Sequence, residues 1–159
     1  MDYADLEKED FDAIVTGEMT HYALWLEGEI NGIISDHFKP ANGRLQQFQI
    51  FILQREGLTF QDKLEIVHGL LPFFPNQTAA QALKPLLKKV EDFKAWRNAL
   101  AHGTDATEND TGHEIKIEAV SRSGRYKAYR ITPTSHAKKI GEAEKLLKKL
   151  QGVRSRLQK

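Results

Sequence analysis

The sequence predicts a mainly α fold: an up-down bundle of about five helices, with a β-hairpin inserted before the last one. Three observations carry that expectation. Apolar residues recur at three- and four-residue spacing over most of the 159-residue chain. Glycine and proline interrupt that rhythm at a few places only. One stretch, "HEIKIEAV" followed by "YKAYRIT", alternates apolar and polar residues instead. We expect a single domain over 1–159, with core helices over about 4–103, the hairpin at about 113–132 and a C-terminal helix at about 134–157.

The first helix is read from Phe11, Val15, Met19, Tyr22, Leu26, Ile30 and Ile33, which lie on one face. "KPANG" ends it with Pro40 and Gly43. A second helix follows through Leu45, Phe48, Phe51 and Ile52, up to Gly57. Thr59 with Asp62 three residues on has the form of a capping box, which opens a third helix over "FQDKLEIVHGLLP". Asn76 is placed to cap a fourth helix that runs to about His102, with a kink or restart expected at Pro85. "TDATENDTG" is a polar loop, "SRSGR" the hairpin turn. Ala137, Ile140, Ala143, Leu147, Leu150 and Leu157 mark the last helix.

Composition limits the chemistry. The chain has no cysteine, which excludes disulfides and thiolate metal sites. Its start, "MDYADLEKEDFD", is acidic where a secretory leader is basic, and no apolar run approaches membrane-spanning length. A cytoplasmic protein with no membrane partner is expected. The net charge of +1 hides an asymmetry. Residues 1–37 hold ten acids and one lysine, whereas residues 134–159 hold eight Lys/Arg and two acids. The acidic first helix and basic last helix either pair with each other or leave a tail that attracts phosphate.

The segment "FKAWRNALAHGTD" (93–105) holds the candidate site. On a wheel with Leu86 at zero, Leu83, Leu87, Val90, Phe93, Leu100 and Ala101 fall within roughly 100° of it, and Arg97 falls at roughly 20°. A charge in the middle of an apolar stripe needs a partner or a wet pocket. It faces either the core or a second chain. Asn98 and His102 share a face four residues apart, roughly 100–140° round from Arg97. His102 sits in the last turn, where the helix dipole favours a cation, and Gly103 is a suitable residue to follow the helix end. A fixed cation, an amide and a titratable imidazole suit a phosphodiester. Trp96 lies at the stripe's edge as a core or interface anchor.

"RNALAHG" resembles the R-N-x-x-x-H signature of the HEPN superfamily, and "LTFQDKLEIVHGLL" is similar to its third-helix segment in bacterial members. The resemblance covers about residues 5–105. It implies a HEPN-like helical domain that dimerises so that two motif helices line one cleft. It implies a metal-independent endoribonuclease without a cofactor, of the kind found in toxin–antitoxin, abortive-infection and other defence systems, with a separate antitoxin protein as partner. Arg97 would contact the phosphate, Asn98 would orient it and His102 would move protons, leaving 2′,3′-cyclic phosphate ends on RNA. Some HEPN domains are instead non-catalytic nucleic-acid- or nucleotide-binding or protein-assembly modules.

Two further constellations stand out. "SRSGRYKAYR" mixes Arg122, Arg125, Lys127 and Arg130 with Tyr126 and Tyr129, a combination that grips single-stranded nucleic acid, or that simply makes a solvated hairpin. Glu18-x-x-His21 and Glu65-x-x-His68 have the spacing of a carboxylate-bridged metal motif, but the remaining glutamates show no matching pattern, so no metal site is assigned. His37, His113 and His136 lie near element ends and are expected at the surface. There is no Gly-rich phosphate loop and no Ser–His–Asp set.

Overall fold

The computed structural model describes residues 3–40, 43–107, 113–121 and 124–159. Among them it is mainly helical, with five α-helices and one small antiparallel sheet: α1 (Lys8–Phe38), α2 (Leu45–Phe48), α3 (Phe60–Leu70), α4 (Gln77–His102), β1 (Thr104–Asp105), β2 (Ile115–Val120), β3 (Tyr126–Ile131) and α5 (Pro133–Leu157). No helix of the described residues is long and apolar enough to cross a membrane. The residues group into two compact units, one made of Met1–Ala23 with Asp92–Glu144, the other of Leu24–Glu91 with Lys145–Lys159.

In the first unit, Phe11, Val15 and Met19 of α1 are buried with Phe93 and Ala99 of α4 and Ile140 and Ala143 of α5. The sheet has strand order β1-β2-β3. β2 and β3 pair antiparallel, with Ile115 opposite Ile131 and Ile117 opposite Tyr129. Ile115, Ile117 and Ile131 are the buried side of the pleat. β1 is a two-residue edge that pairs Thr104 with Glu118 and Asp105 with Ile117, where the sequence shows only a polar loop. Thr132 and Ser135 cap α5 reciprocally, Ser135 N donating to Thr132 Oγ1 at 3.2 Å and Thr132 N donating to Ser135 Oγ at 2.8 Å. Pro133 takes the first helical position, where its missing N–H costs nothing.

In the second unit, Leu26, Ile30, Ile33 and Ile34 of α1 are buried with Leu64 and Val67 of α3, Leu83, Leu87 and Val90 of α4, and Leu150 and Val153 of α5. The capping box of α3 is present: Thr59 Oγ1 accepts from Asp62 N and Asp62 Oδ2 accepts from Thr59 N at 2.7 Å. Asn76 Oδ1 accepts from Ala79 N at 3.0 Å and starts α4. Of the kink or restart expected at Pro85, there is no restart: Gln77–His102 is one helix with Pro85 inside it. Pro85 and Gln81 are both exposed, so the carbonyl that Pro85 leaves without a donor is on the watered side. Arg154 Nε donates to Asp36 Oδ2 at 2.6 Å and Nη1 to Glu29 Oε2 at 3.3 Å, with the guanidinium lying over Gly32. Lys63 is buried and ion-paired to Glu27.

The second helix departs from expectation. Only Leu45–Phe48 is α-helical; Gln49–Leu53 is a π-helical turn, closed by Gln54 N donating to Gln49 O at 2.8 Å. A wider turn advances each side chain by less than the α step, so the spacing at 45, 48, 51 and 52 no longer marks one face. Leu45, Ile50, Phe51 and Ile52 are exposed and Leu53 is buried instead.

Gly103 has no left-handed backbone; among the described residues the positive-φ glycines are Gly43, Gly57 and Gly124. Its role is close approach. A Cβ there would lie 2.5 Å from Ala99 O and 2.9 Å from Glu118 O, and against the Ile117 side chain. Two of these neighbours are backbone atoms that cannot swing aside. Gly103→Ala is therefore expected to destabilise the fold by about 1–3 kcal/mol, read as a lower urea midpoint with an unchanged m-value.

Candidate functional site

The last turns of α4 position the site, and they do not continue the face of the turns before them. Leu83, Leu86, Leu87, Val90 and Phe93 are buried as the wheel requires. Beyond Phe93, Leu100 is only half-buried and Ala101 is exposed, whereas Ala99, roughly 140° away from Leu86, is 4% exposed. The covered face has turned toward Trp96 and Ala99. Trp96 meets the Tyr129 ring edge-on, with centroids 5.0 Å apart, and Lys139 Nζ sits 4.8 Å from the Trp96 ring. The cause is local: β1 starts one residue after Gly103 and pulls the β2 backbone onto the helix end.

Arg97 is left at the boundary, half-buried, while Asn98 and His102 are exposed. Arg97 Nη1 donates to Asn98 Oδ1 at 3.3 Å. Among the described residues no carboxylate pairs with Arg97. Arg97 and Asn98 are thus brought together, and His102 stands one turn beyond Asn98 on its face. The guanidinium keeps most of its donors open to a ligand, which a structural ion pair would not allow. Shortly after the motif, the Thr107 hydroxyl and amide bond Asp105 at 2.5 and 2.9 Å and hold its carboxyl below the usual range. Burial pushes the Asp12 carboxyl up, against the opposing charge of Lys8.

The hairpin residues divide between two faces. Arg122 lies outside the described residues. Tyr126, Ala128 and Arg130 are on one side of β3, with Lys127, Tyr129 and Ile131 on the other. Tyr126 donates to Glu118 Oε1 at 2.8 Å, and Arg130 pairs with Glu114 at 2.5 Å. That pairing holds Glu114 below its ordinary value and raises Arg130. Tyr129 packs on Trp96. Arg125 and Lys127 are exposed. The strand's alternation prevents a continuous stacking platform, because the two tyrosines face opposite ways.

The Glu-x-x-His pairs also have other partners. Glu65 accepts from Gln61 at 2.9 Å, and His68 meets Glu91 at 3.2 Å. Glu18 belongs to a cluster that sequence reasoning missed. His136, expected at the surface, is 2% exposed, with Nε2 2.6 Å from Glu18 Oε2. Tyr3 donates to the same oxygen at 2.9 Å and lies edge-on to the His136 ring at 4.9 Å. His113 is half-buried, bonded to the Leu6 carbonyl. His37 is half-buried against Phe74. A pairing across more than a hundred residues leaves no local signal.

Comparison with protein-family models, curated proteins and solved structures gives no match. The HEPN resemblance therefore stands on the residues quoted for it.

Burial and the Glu18 bond push the Tyr3 hydroxyl up to about 12, and burial and the Glu144 bond do the same for Tyr22. Each acid is harder to ionise folded than unfolded. Their stabilisation is complete below about 10, the unfolded value, and is lost as pH rises through about 12. In a 295 nm titration, two of the four tyrosines are expected to ionise last, near 12. Tyr3→Phe with Tyr22→Phe should remove that late step. A single transition near 10 in the wild type would rule out both contacts.

Proposed function

We propose that the chain is a HEPN-like, metal-independent endoribonuclease that acts as a homodimer in the cytoplasm, as a toxin or phage-defence effector held in check by a separate antitoxin protein. The observation that carries this reading is the state of Arg97. It is half-buried, has no carboxylate partner among the described residues, and bonds the amide of Asn98. An arginine locked into a structural ion pair would not keep those donors open to a phosphate.

The chemistry follows from the three groups. An imidazole removes the proton of an RNA 2′-hydroxyl, and the 2′ oxygen attacks the adjacent phosphorus. The P–O5′ bond breaks, and a second imidazole, protonated, gives its proton to the departing 5′ oxygen. The products are a 2′,3′-cyclic phosphate and a 5′-hydroxyl. Arg97 holds the non-bridging oxygens as charge builds on them, and Asn98 orients the guanidinium. His102 supplies one imidazole per chain, and a two-fold partner supplies the other.

The test is incubation of the purified protein with labelled RNA in EDTA. Wild type is expected to cut and leave cyclic phosphate ends. His102→Ala should lose at least about 100-fold in rate as a general acid–base group, and Arg97→Ala at least about 100-fold as a group that stabilises developing charge. Equal cutting by wild type and both variants would show that the motif is not the site. Binding of RNA without cutting by any form would favour the non-catalytic binding module.

A further inference from the structure

α5 carries a second basic feature outside the motif and the hairpin. In the unit that contains Lys145–Lys159, the side chains of Lys145, Lys148, Lys149 and Arg156 are all exposed. On the helix wheel Lys145, Lys149 and Arg156 lie within roughly 40°, with Lys148 roughly 60° further round. From Lys145 to Arg156 the charges advance about 16 Å along the axis. None of the four forms an ion pair with a described residue. Three acids of α1 in this unit are engaged elsewhere: Glu29 and Asp36 hold Arg154, and Glu27 holds Lys63.

We infer that this arc of α5 is a docking surface for the phosphate backbone of RNA. Three features select that occupant. The apolar side of the same helix segment, Leu146, Leu150, Val153 and Leu157, is buried in the chain's own core, so nothing is left to insert into a bilayer. The arc holds no aromatic or aliphatic anchor: between the charges lie Gly152 and Ser155, and space beside Gly152 is open. Interfaces between proteins avoid lysine at their centres and rely on such anchors, whereas phosphate contacts need no apolar anchor and are commonly made by lysine and arginine. The charges are also linear, which matches a strand of phosphates. Arg156 is steadied along the helix by its Nε donating to Gly152 O at 3.0 Å. That the polymer is RNA rests on the proposed ribonuclease reading; that it is a phosphate chain rests on the arc itself.

The test uses the full chain and a fluorescently labelled 20-nucleotide 2′-O-methyl RNA, which lacks the attacking hydroxyl and cannot be cut by the proposed chemistry. Binding is followed by anisotropy from 0.05 to 0.2 M salt. The variant is Lys145→Gln/Lys148→Gln/Lys149→Gln, with its fold checked by circular dichroism, and Lys149→Gln serves alone where the triple variant melts early. Losing three single-strand phosphate contacts lowers the slope of log K against log salt by about 2, so the wild type should lose about 20-fold more affinity than the triple variant over that range. For Lys149→Gln the slope should fall by about 0.7. The inference is overturned if the variant keeps the wild-type affinity and slope. It is also overturned if the wild type binds phosphatidylserine vesicles and not the oligonucleotide, or binds neither. A slope drop of about 2 in a protein that never cuts ordinary RNA would leave the docking surface standing and end the ribonuclease reading. Cutting with an unchanged slope would do the reverse.

Discussion

The close approach of β2 to the end of α4 at Gly103 governs the candidate site. With no side chain at Gly103, the Glu118 carbonyl and the Ile117 side chain come down onto the helix end. Because β1 follows at once, the sheet must start there. The sheet brings Tyr129 against Trp96, and the covered face of α4 turns toward Trp96 and Ala99. Leu100 and Ala101 lose the cover that helical periodicity promised them. Arg97 then sits where a guanidinium can be held by its stem and still reach water, which lowers the desolvation cost that a central core position would impose.

The charge asymmetry of the chain resolves in a similar selective way. The acids of α1 do not pair broadly with the lysines of α5. They take the partners whose geometry suits them: Arg154, whose planar fork reaches Asp36 through two nitrogens and Glu29 through a third contact, and the buried His136, which meets Glu18 beside Tyr3. Bonding to Asp36, with Glu29 adding, raises the Arg154 pKa against the opposing effect of its burial. Gly32 makes room for that guanidinium on the surface of α1. Lys145, Lys148 and Lys149 of α5, point charges on flexible stems, gain less from such fixed partners and stay exposed, whereas Lys63 of α3 is buried on Glu27.

What was legible in the sequence is what local chemistry decides. The apolar stripe of α1, the Thr59–Asp62 box of α3, the Asn76 cap of α4 and the alternation of β2 and β3 each lie within a few neighbouring residues, and each appears where its pattern stands. The π turn at Gln49–Leu53 was not legible, since a one-residue change of hydrogen-bond step is invisible to a count of three and four. β1 is too short to show alternation. The burial of His136 depends on Glu18, more than a hundred residues away. At the site itself, the adjacency of Arg97 and Asn98 was readable, and the turn of the covered face was not, because it is imposed by the sheet rather than by the helix.

Under the proposed reading, one consequence of that turn bears on how many chains the chemistry needs. Cleavage by internal attack moves one proton off the 2′-hydroxyl and another onto the 5′ oxygen, on opposite sides of phosphorus. A lone imidazole at the end of a rigid helix reaches one of those positions at a time. Among the described residues His102 has no carboxylate bonded to it that would steady its ring. Arg97, with Leu100 half-buried and Ala101 exposed beside it, would on that reading supply half of a site. A two-fold partner on that face would supply the second His102 that the proposed chemistry requires, with no residue added to the chain.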